Sequence, residues 1–205
     1  MLIKSGGKLM YIFWDNSNIH FSGVHYACPK FEPEVDTVLY RTYFKNLFAL
    51  VKNNRPIDKA FVAGSVPPEE DDLWEYIRSL GVELTLLDRT ADGKEQESVD
   101  ILLQNEMLRL MIDLEKNPDT IAIITGDGAG YLNGRGFLAD IERAQERGWN
   151  IEVYSWDGSC NKNLKTFAQE KGKYISLDDY YFSISFIKKD YYGTYKGRKV
   201  SPLMI

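Results

Sequence analysis

A chain of 205 residues, 44% hydrophobic and 27% charged, is long enough to bury a real core within one domain and has an ordinary globular balance. Its net charge of −5 argues against a protein that coats nucleic acid non-specifically. Its apolar runs fall far short of the ~20 residues a membrane helix needs, and residues 1–10 lack the apolar core and cleavage site of a secretory signal.

Cys28 and Cys160 are the only cysteines and form no CxxC pair, which fits a reducing, cytoplasmic setting without a disulfide framework. Residues 11–14 (YIFW) are an apolar, aromatic run with no polar break, the pattern of a strand buried on both faces at the centre of a parallel sheet. Asp15 follows at once, then Asn16, Ser17 and Asn18. A carboxylate at the end of a buried strand is costly unless compensated, and ligand crevices in open α/β sheets lie just outside such ends. The same DNSN is also good turn and helix-cap chemistry. Residues 19–33 read as a loop beside the crevice; His20, His25 and Cys28 within it match no common zinc spacing.

Val35, Val38, Leu39, Tyr43, Leu47, Leu50 and Val51 recur at helical spacing and predict a helix over 35–53, closed by Asn53, Asn54 and Pro56. Residues 59–63 read as a second strand. The acids at 69–72 suit the positive end of a helix reaching about residue 80, and 82–87 reads as a third strand. A polar connector leads to a helix over 95–117, whose stripe of Val99, Leu102, Leu103, Leu110, Met111 and Leu114 should face the sheet. Residues 121–124 (IAII) are a fourth strand, ending in Thr125, Gly126 and Asp127. A helix over 136–147, a fifth strand over 151–154, a short helix over 164–170 and an edge strand over 173–176 complete the pattern.

Strands alternating with helices predict an α/β three-layer sandwich with a mostly parallel central sheet of five to six strands and right-handed crossovers. A sheet order of 3-2-1-4-5 puts the ends of the first and fourth strands side by side, at the topological switch point. Those ends carry Asp15 and Asp127. Asp100, near the start of the third helix and at the edge of its apolar stripe, is a third candidate, with Glu97 one turn earlier on the same side. Three bare carboxylates would repel one another, and hard divalent cations with oxygen ligands, Mg²⁺ or Mn²⁺, are the usual resolution.

The stretches IFWDNSNIH, ESVDILLQNEML and IAIITGDGAGYL, in that order, resemble the motifs of the NYN domains, a family of PIN-like nucleases. Ser159 and Leu164 with Ala168 and a closing YISL add a weaker match, so that the resemblance spans 9–179. It aligns Asp15, Asn16 and Asn18 with the first motif, Ser98, Val99 and Asp100 with the second, and Thr125, Gly126 and Asp127 with the third. Glu106 matches a further acid, although it lies about 120° around the helix from Asp100. The chain departs from the pattern at Ala129 and Gly130, where the family has an aspartate and an aromatic. It also carries Glu97 where a lysine is common, with Lys94 nearby.

The resemblance implies a metal-dependent endoribonuclease with a PIN-like domain over 1–180 and a basic, tyrosine-rich extension over 181–205. Mg²⁺ or Mn²⁺ would be held by Asp15, Asp100 and Asp127, with Glu97 restoring charge missing at Ala129. Asn16, Asn18, Thr125, Lys94 and Ser159 would meet the RNA. The absent aspartate implies one ion or weak activity, and it supports a rival reading: a PIN-like fold kept as an RNA-binding or interaction module. The three retained acids oppose that rival.

A dinucleotide fingerprint fails after Gly126 and Gly128, because Tyr131 and Asn133 stand where a third glycine is needed. A phosphatase-type Asp-x-Asp fails at Ser17, and a nucleophilic triad finds only His20 and His25. In the extension, Lys188, Lys189, Lys196, Arg198 and Lys199 against Asp190 give five cations to one acid, a local charge of +4. Tyr191, Tyr192 and Tyr195 lie among them. The segment reads equally as an extension of an RNA groove and as a tail packed on the body through its tyrosines. Homo-oligomerisation is left open.

Overall fold

The computed structural model describes residues 9–63, 71–79, 83–87, 95–113, 119–127, 136–190 and 196–205, with backbone alone for 71, 73, 85–87, 95–100 and 113. In chain order, β1 (Met10–Asp15) runs directly into α1 (Asn16–Ser22), a π-helical stretch over Gly23–Ala27 and α2 (Cys28–Phe31). A 3-10 turn (Thr37–Leu39), β2 (Tyr40–Thr42) and α3 (Phe44–Lys52) follow. Next come β3 (Ile57–Ala63), α4 (Asp71–Ser79), β4 (Glu83–Leu87), α5 (Glu95–Asp113) and β5 (Thr120–Ile124). The chain continues through α6 (Phe137–Glu146), β6 (Asn150–Ser155), α7 (Lys162–Lys171) and β7 (Lys173–Ser176). A second 3-10 turn (Leu177–Tyr180), α8 (Tyr181–Ile184) and β8 (Ser185–Ile187) close the order of elements.

Six strands form one sheet in the order β4-β3-β1-β5-β6-β7, and every neighbouring pair in it is parallel. Every residue of β1 is buried. Met10, Ile12 and Trp14 enter one core with Ile19, Phe44, Phe48 and Trp74. Tyr11 and Phe13 enter a second core on the opposite face, with Leu103, Met107, Phe137 and Leu164. Helices α1 to α4 and α8 thus cover one face, and α5 to α7 the other. The α/β sandwich and the strand order expected from the sequence are both present. The order β3-β1-β5 is the switch point: the chain leaves β1 toward β3 on one side and returns through β5 on the other.

Two local expectations fail. Residues 19–33 are not a loop: Asp15 caps a nearly unbroken helical run that ends at Phe31. The i→i+5 register over Gly23–Ala27 lets one face stay buried at Ile19, Ala27 and Cys28. Gly23 is required there because the Tyr40 hydroxyl fills the space that a Cβ would occupy. The helix expected over 35–53 begins only at Phe44. Residues 40–42 instead form β2, which pairs antiparallel with β8 through Tyr40–Ile187, Arg41–Phe186 and Thr42–Ser185. A distant pairing partner has overridden a local helical period.

Described parts of the 181–205 segment lie on this small sheet. Tyr181 is buried, and its hydroxyl donates to Glu32 Oε2 at 2.6 Å. Arg198 donates from Nε and Nη2 to the same carboxylate at 3.0 to 3.1 Å, and from Nη1 and Nη2 to the Ser185 carbonyl and hydroxyl. Charge-assisted, bidentate bonds of this kind are among the stronger ones available to a side chain. The fastening therefore runs through Tyr181 and Arg198; Tyr191, Tyr192 and Tyr195 lie outside the described residues.

Candidate functional site

Asp15 is the last residue of β1 and the N-cap of α1, its carboxylate accepting from the Asn18 N–H at 2.9 Å. Strand and helix together sink it until only 6% of it is exposed. Burial pushes its carboxyl up to about 6; the Asn18 N–H resists the shift, and the charge of Asp127 adds to it. The Ser17 N–H and the Thr125 hydroxyl also favour the ionised form. Asp15 and Asp127 are therefore electrostatic neighbours, as the strand order demands. No described lysine or arginine forms an ion pair with Asp15.

The second carboxylate is delivered by β5, whose Ile124 pairs with Trp14 one residue before Asp15. The chain then turns, with the Asp127 N–H donating to Thr125 Oγ1 at 3.1 Å. Asn18 Oδ1 reaches across from α1 and accepts from the Gly126 N–H at 2.7 Å. The Asn161 N–H donates to the Gly126 carbonyl at 2.8 Å. Gly126 is thus gripped on both sides. A Cβ there would lie 3.0 Å from Ser155 Oγ, 3.1 Å from the Ser159 carbonyl and 3.2 Å from Asn18 Oδ1, so the turn is built for glycine by close approach. Asn18 joins the first sequence motif to the third directly. Asn16 is buried at the start of α1, and Ser159 Oγ is buried with no hydrogen-bond partner among the described residues.

Asp100 and Glu97 lie on α5, which leads from the end of β4 back toward the start of β5 and packs on β1 and β3. That course puts the first turns of α5 on the carboxyl side of the sheet. The side chains of Asp100 and Glu97 lie outside the described residues, as do Lys94, Ala129 and Gly130. Glu106 pairs with Arg109 at 2.7 Å. Among the described residues, no three His, Cys, Asp or Glu side chains converge closely enough to hold a metal ion. Two oxygen-bearing carboxylates, one buried and repelled by the other, are nonetheless a donor set suited to a hard divalent cation.

His20 does not join a zinc cluster. Its Nδ1 meets Thr42 Oγ1 at 3.1 Å, and burial, then the Arg41 charge, lowers its pKa. Sequence reasoning overlooked the wall beyond β6. There Asp157 pairs with Lys165 at 2.7 Å and donates its N–H to Asp178 at 2.9 Å. Asp178 also accepts from Tyr26 at 2.8 Å and Lys30 at 2.7 Å. The Tyr26 ring occupies the space above Gly158. This network braces the loop carrying Ser159, and the one local signal for it was the helix-capping chemistry of Asn161.

The raised Asp15 pKa fixes a pH dependence. A carboxyl whose folded value lies above its unfolded one binds more protons in the native state, so its favourable contribution is full below about 4 and lost as pH rises through 6. The shift from 3.8 to about 6 corresponds to about 3 kcal/mol at ~1.4 kcal/mol per unit. In EDTA, this part of the unfolding free energy should fall between pH 4 and 7 in wild type and be absent in Asp15→Asn. Denaturant unfolding at several pH values measures it, and identical pH profiles for the two proteins would contradict the burial of an ionisable Asp15.

The family model of the NYN domain matches residues 10–178. No curated protein matches the chain significantly. Among the described residues, no helix is long and apolar enough to cross a membrane.

Proposed function

The chain belongs to the NYN domain family of PIN-like nucleases, and from that premise we propose that it is a metal-dependent endoribonuclease working at the ends of β1 and β5. Family membership supports a nuclease-like, RNA-related function in general terms. The observation that carries the finer reading is the juxtaposition of Asp15 and Asp127. A buried carboxylate destabilised by a neighbouring one, with no described cation beside it, is costly for folding and useful for binding a metal ion.

In this reading Asp15 and Asp127, with Asp100 and Glu97 from α5, would hold Mg²⁺ or Mn²⁺. Such an ion supplies charge neutralisation at a scissile phosphate and a more acidic bound water. The chain's own part is positioning. Asn18 fixes the Gly126 turn and so the direction of Asp127. Thr125 holds the Asp127 N–H while lying against Asp15. The raised carboxyl of Asp15 must lose its proton to take up an ion, so metal binding should strengthen as pH rises through about 6. Ser159, whose Oγ is buried and has no partner among the described residues, is assigned with Asn16 and Lys94 to the RNA side of the site.

The catalytic unit is assigned to 1–180 and the extension to 181–205. A cytoplasmic setting is proposed from the two cysteines, both unpaired. A second reading, a catalytically weak or inactive RNA-binding module, is favoured by Ala129 in place of the family aspartate.

The deciding experiment incubates metal-stripped protein with single-stranded and hairpin RNA in Mn²⁺, Mg²⁺ or EDTA. Internal cuts are expected with either ion and none in EDTA. RNA left intact across the whole metal titration would sink the nuclease reading and leave the binding module.

A further inference from the structure

We infer that the cleft between the β2–β8 sheet and the 196–200 segment is an accessory site for single-stranded RNA, separate from the acidic centre; the inference rests on reading the chain as an RNA-acting protein. The cleft encloses about 440 Å³ and is lined by Tyr43, Phe186, Lys189, Lys196, Arg198 and Lys199. It thus gathers four cations in a chain whose net charge is −5. Arg198 is committed to Glu32. Lys189, Lys196 and Lys199 are exposed, and among the described residues no carboxylate forms an ion pair with them. Three exposed ammonium groups on one rim, with no ion pair among the described residues, suit a row of phosphates.

The floor supplies the other half of the recognition. Tyr43 and Phe186 meet edge to face, with centroids 6.3 Å apart and planes at 80°. Their backbones are held, Tyr43 by its N–H to the Ile184 carbonyl at 2.7 Å and Phe186 by the β2–β8 pairing. Half-buried rings on a fixed backbone are a stacking platform for an unpaired base, and any base offers a π-face. A duplex keeps its bases stacked inside and cannot use such a floor, so the cleft selects single strands. An acidic polypeptide would satisfy the lysines and leave the rings without a matching group.

The cleft is also joined to the acidic centre. Asp15 caps α1, and His20 on that helix holds Thr42, the neighbour of Tyr43. Five residues of helix rise only ~7.5 Å.

The test is fluorescence anisotropy of labelled oligouridylate with the full chain in EDTA, over a salt series, so that binding is read without cleavage. Lys189→Gln/Lys196→Gln/Lys199→Gln should flatten the slope of log affinity against log salt by about 2, at ~0.7 per phosphate contact on a single strand. Phe186→Leu should weaken binding about tenfold while leaving that slope nearly unchanged. A blunt RNA duplex of the same length should bind several-fold more weakly than the single strand. Should Phe186→Leu fail to fold, the lysine variant still decides, because its changes lie on the surface. An unchanged slope in the lysine variant overturns the inference. So does polyglutamate binding that depends on the same lysines while RNA binding does not, which would assign the cleft to an acidic protein partner. Lysine-dependent RNA binding without any metal-dependent cleavage keeps the cleft and removes the nuclease reading; cleavage with a wild-type slope does the reverse.

Discussion

Asp15→Asn is expected to lower metal-dependent RNA cleavage about a thousandfold and, in EDTA above pH 7, to make the protein more stable than wild type. The first effect follows if the carboxylate holds the ion: an amide keeps the shape and loses the charge. Metal-borne stabilisation of several kcal/mol, divided by ~1.4 kcal/mol per tenfold, gives that loss. The second follows from the burial of Asp15 and the charge of Asp127, which together hold its carboxyl near 6. Removing the charge should recover about 1–3 kcal/mol, the lower end allowing for an amide N–H₂ that needs a partner. A structural carboxylate would show the opposite pair, a destabilised variant with unaltered chemistry. Cleavage assays and denaturant unfolding on one preparation decide the matter. A variant that is less stable and still cuts at the wild-type rate would remove Asp15 from the chemistry.

Asn18→Ala carries the next largest expectation. Its amide oxygen accepts the Gly126 N–H at 2.7 Å, and the turn it fixes carries Asp127. Deletion leaves a sheltered N–H without its acceptor, costing about 1–3 kcal/mol of stability. Groups that orient metal ligands typically matter by about 10- to 100-fold. The loss should fall on kcat and on the Mn²⁺ concentration for half-activity, with RNA affinity in EDTA unchanged. A residue contacting only RNA would shift that affinity instead. If Mn²⁺ dependence and kcat both stay at wild-type values while stability drops, Asn18 is merely a brace within the fold.

How much of this was readable in the chain depends on how local each determinant is. β1 and β5 are short runs buried on both faces, the spelling of central parallel strands; Asp15 ends the first and Asp127 stands three residues beyond the second. Strand order then followed from the switch-point rule without knowledge of side-chain packing. The helical run after Asp15 was hidden because Pro29, Gly23 and the polar residues around them read as loop chemistry. A π register and the contact with Tyr40 make the run feasible, and neither leaves a period in the sequence. Likewise β2 was submerged in a helical pattern because its stabilising partner is β8, at the far end of the chain. Asn18 was legible as a motif residue, whereas its bond to Gly126 required the two strand ends to be side by side. Of the apolar stripe at whose edge Asp100 was read, α5 carries Leu103 and Leu110 into the core, and Met107, which that reading left out, joins them.

The pairing of Glu32 with Arg198 spans 166 positions of sequence, and this separation has a kinetic meaning. On a ribosome adding ~5–20 residues per second, Glu32 waits roughly 10–30 s for its counter-charge to be made. Until residue 187 is made the Tyr40 strand has no β8 edge to pair with, whereas β1, β3 and β5 are all complete by residue 124. Loop closure over such a distance is slow and is compensated only when both ends are in place. The N-terminal helical run is thus secured by a segment synthesised long after it. Vectorial synthesis makes the clasp a late checkpoint on assembly, and the sheet with its two acids is the part that can form ahead of it.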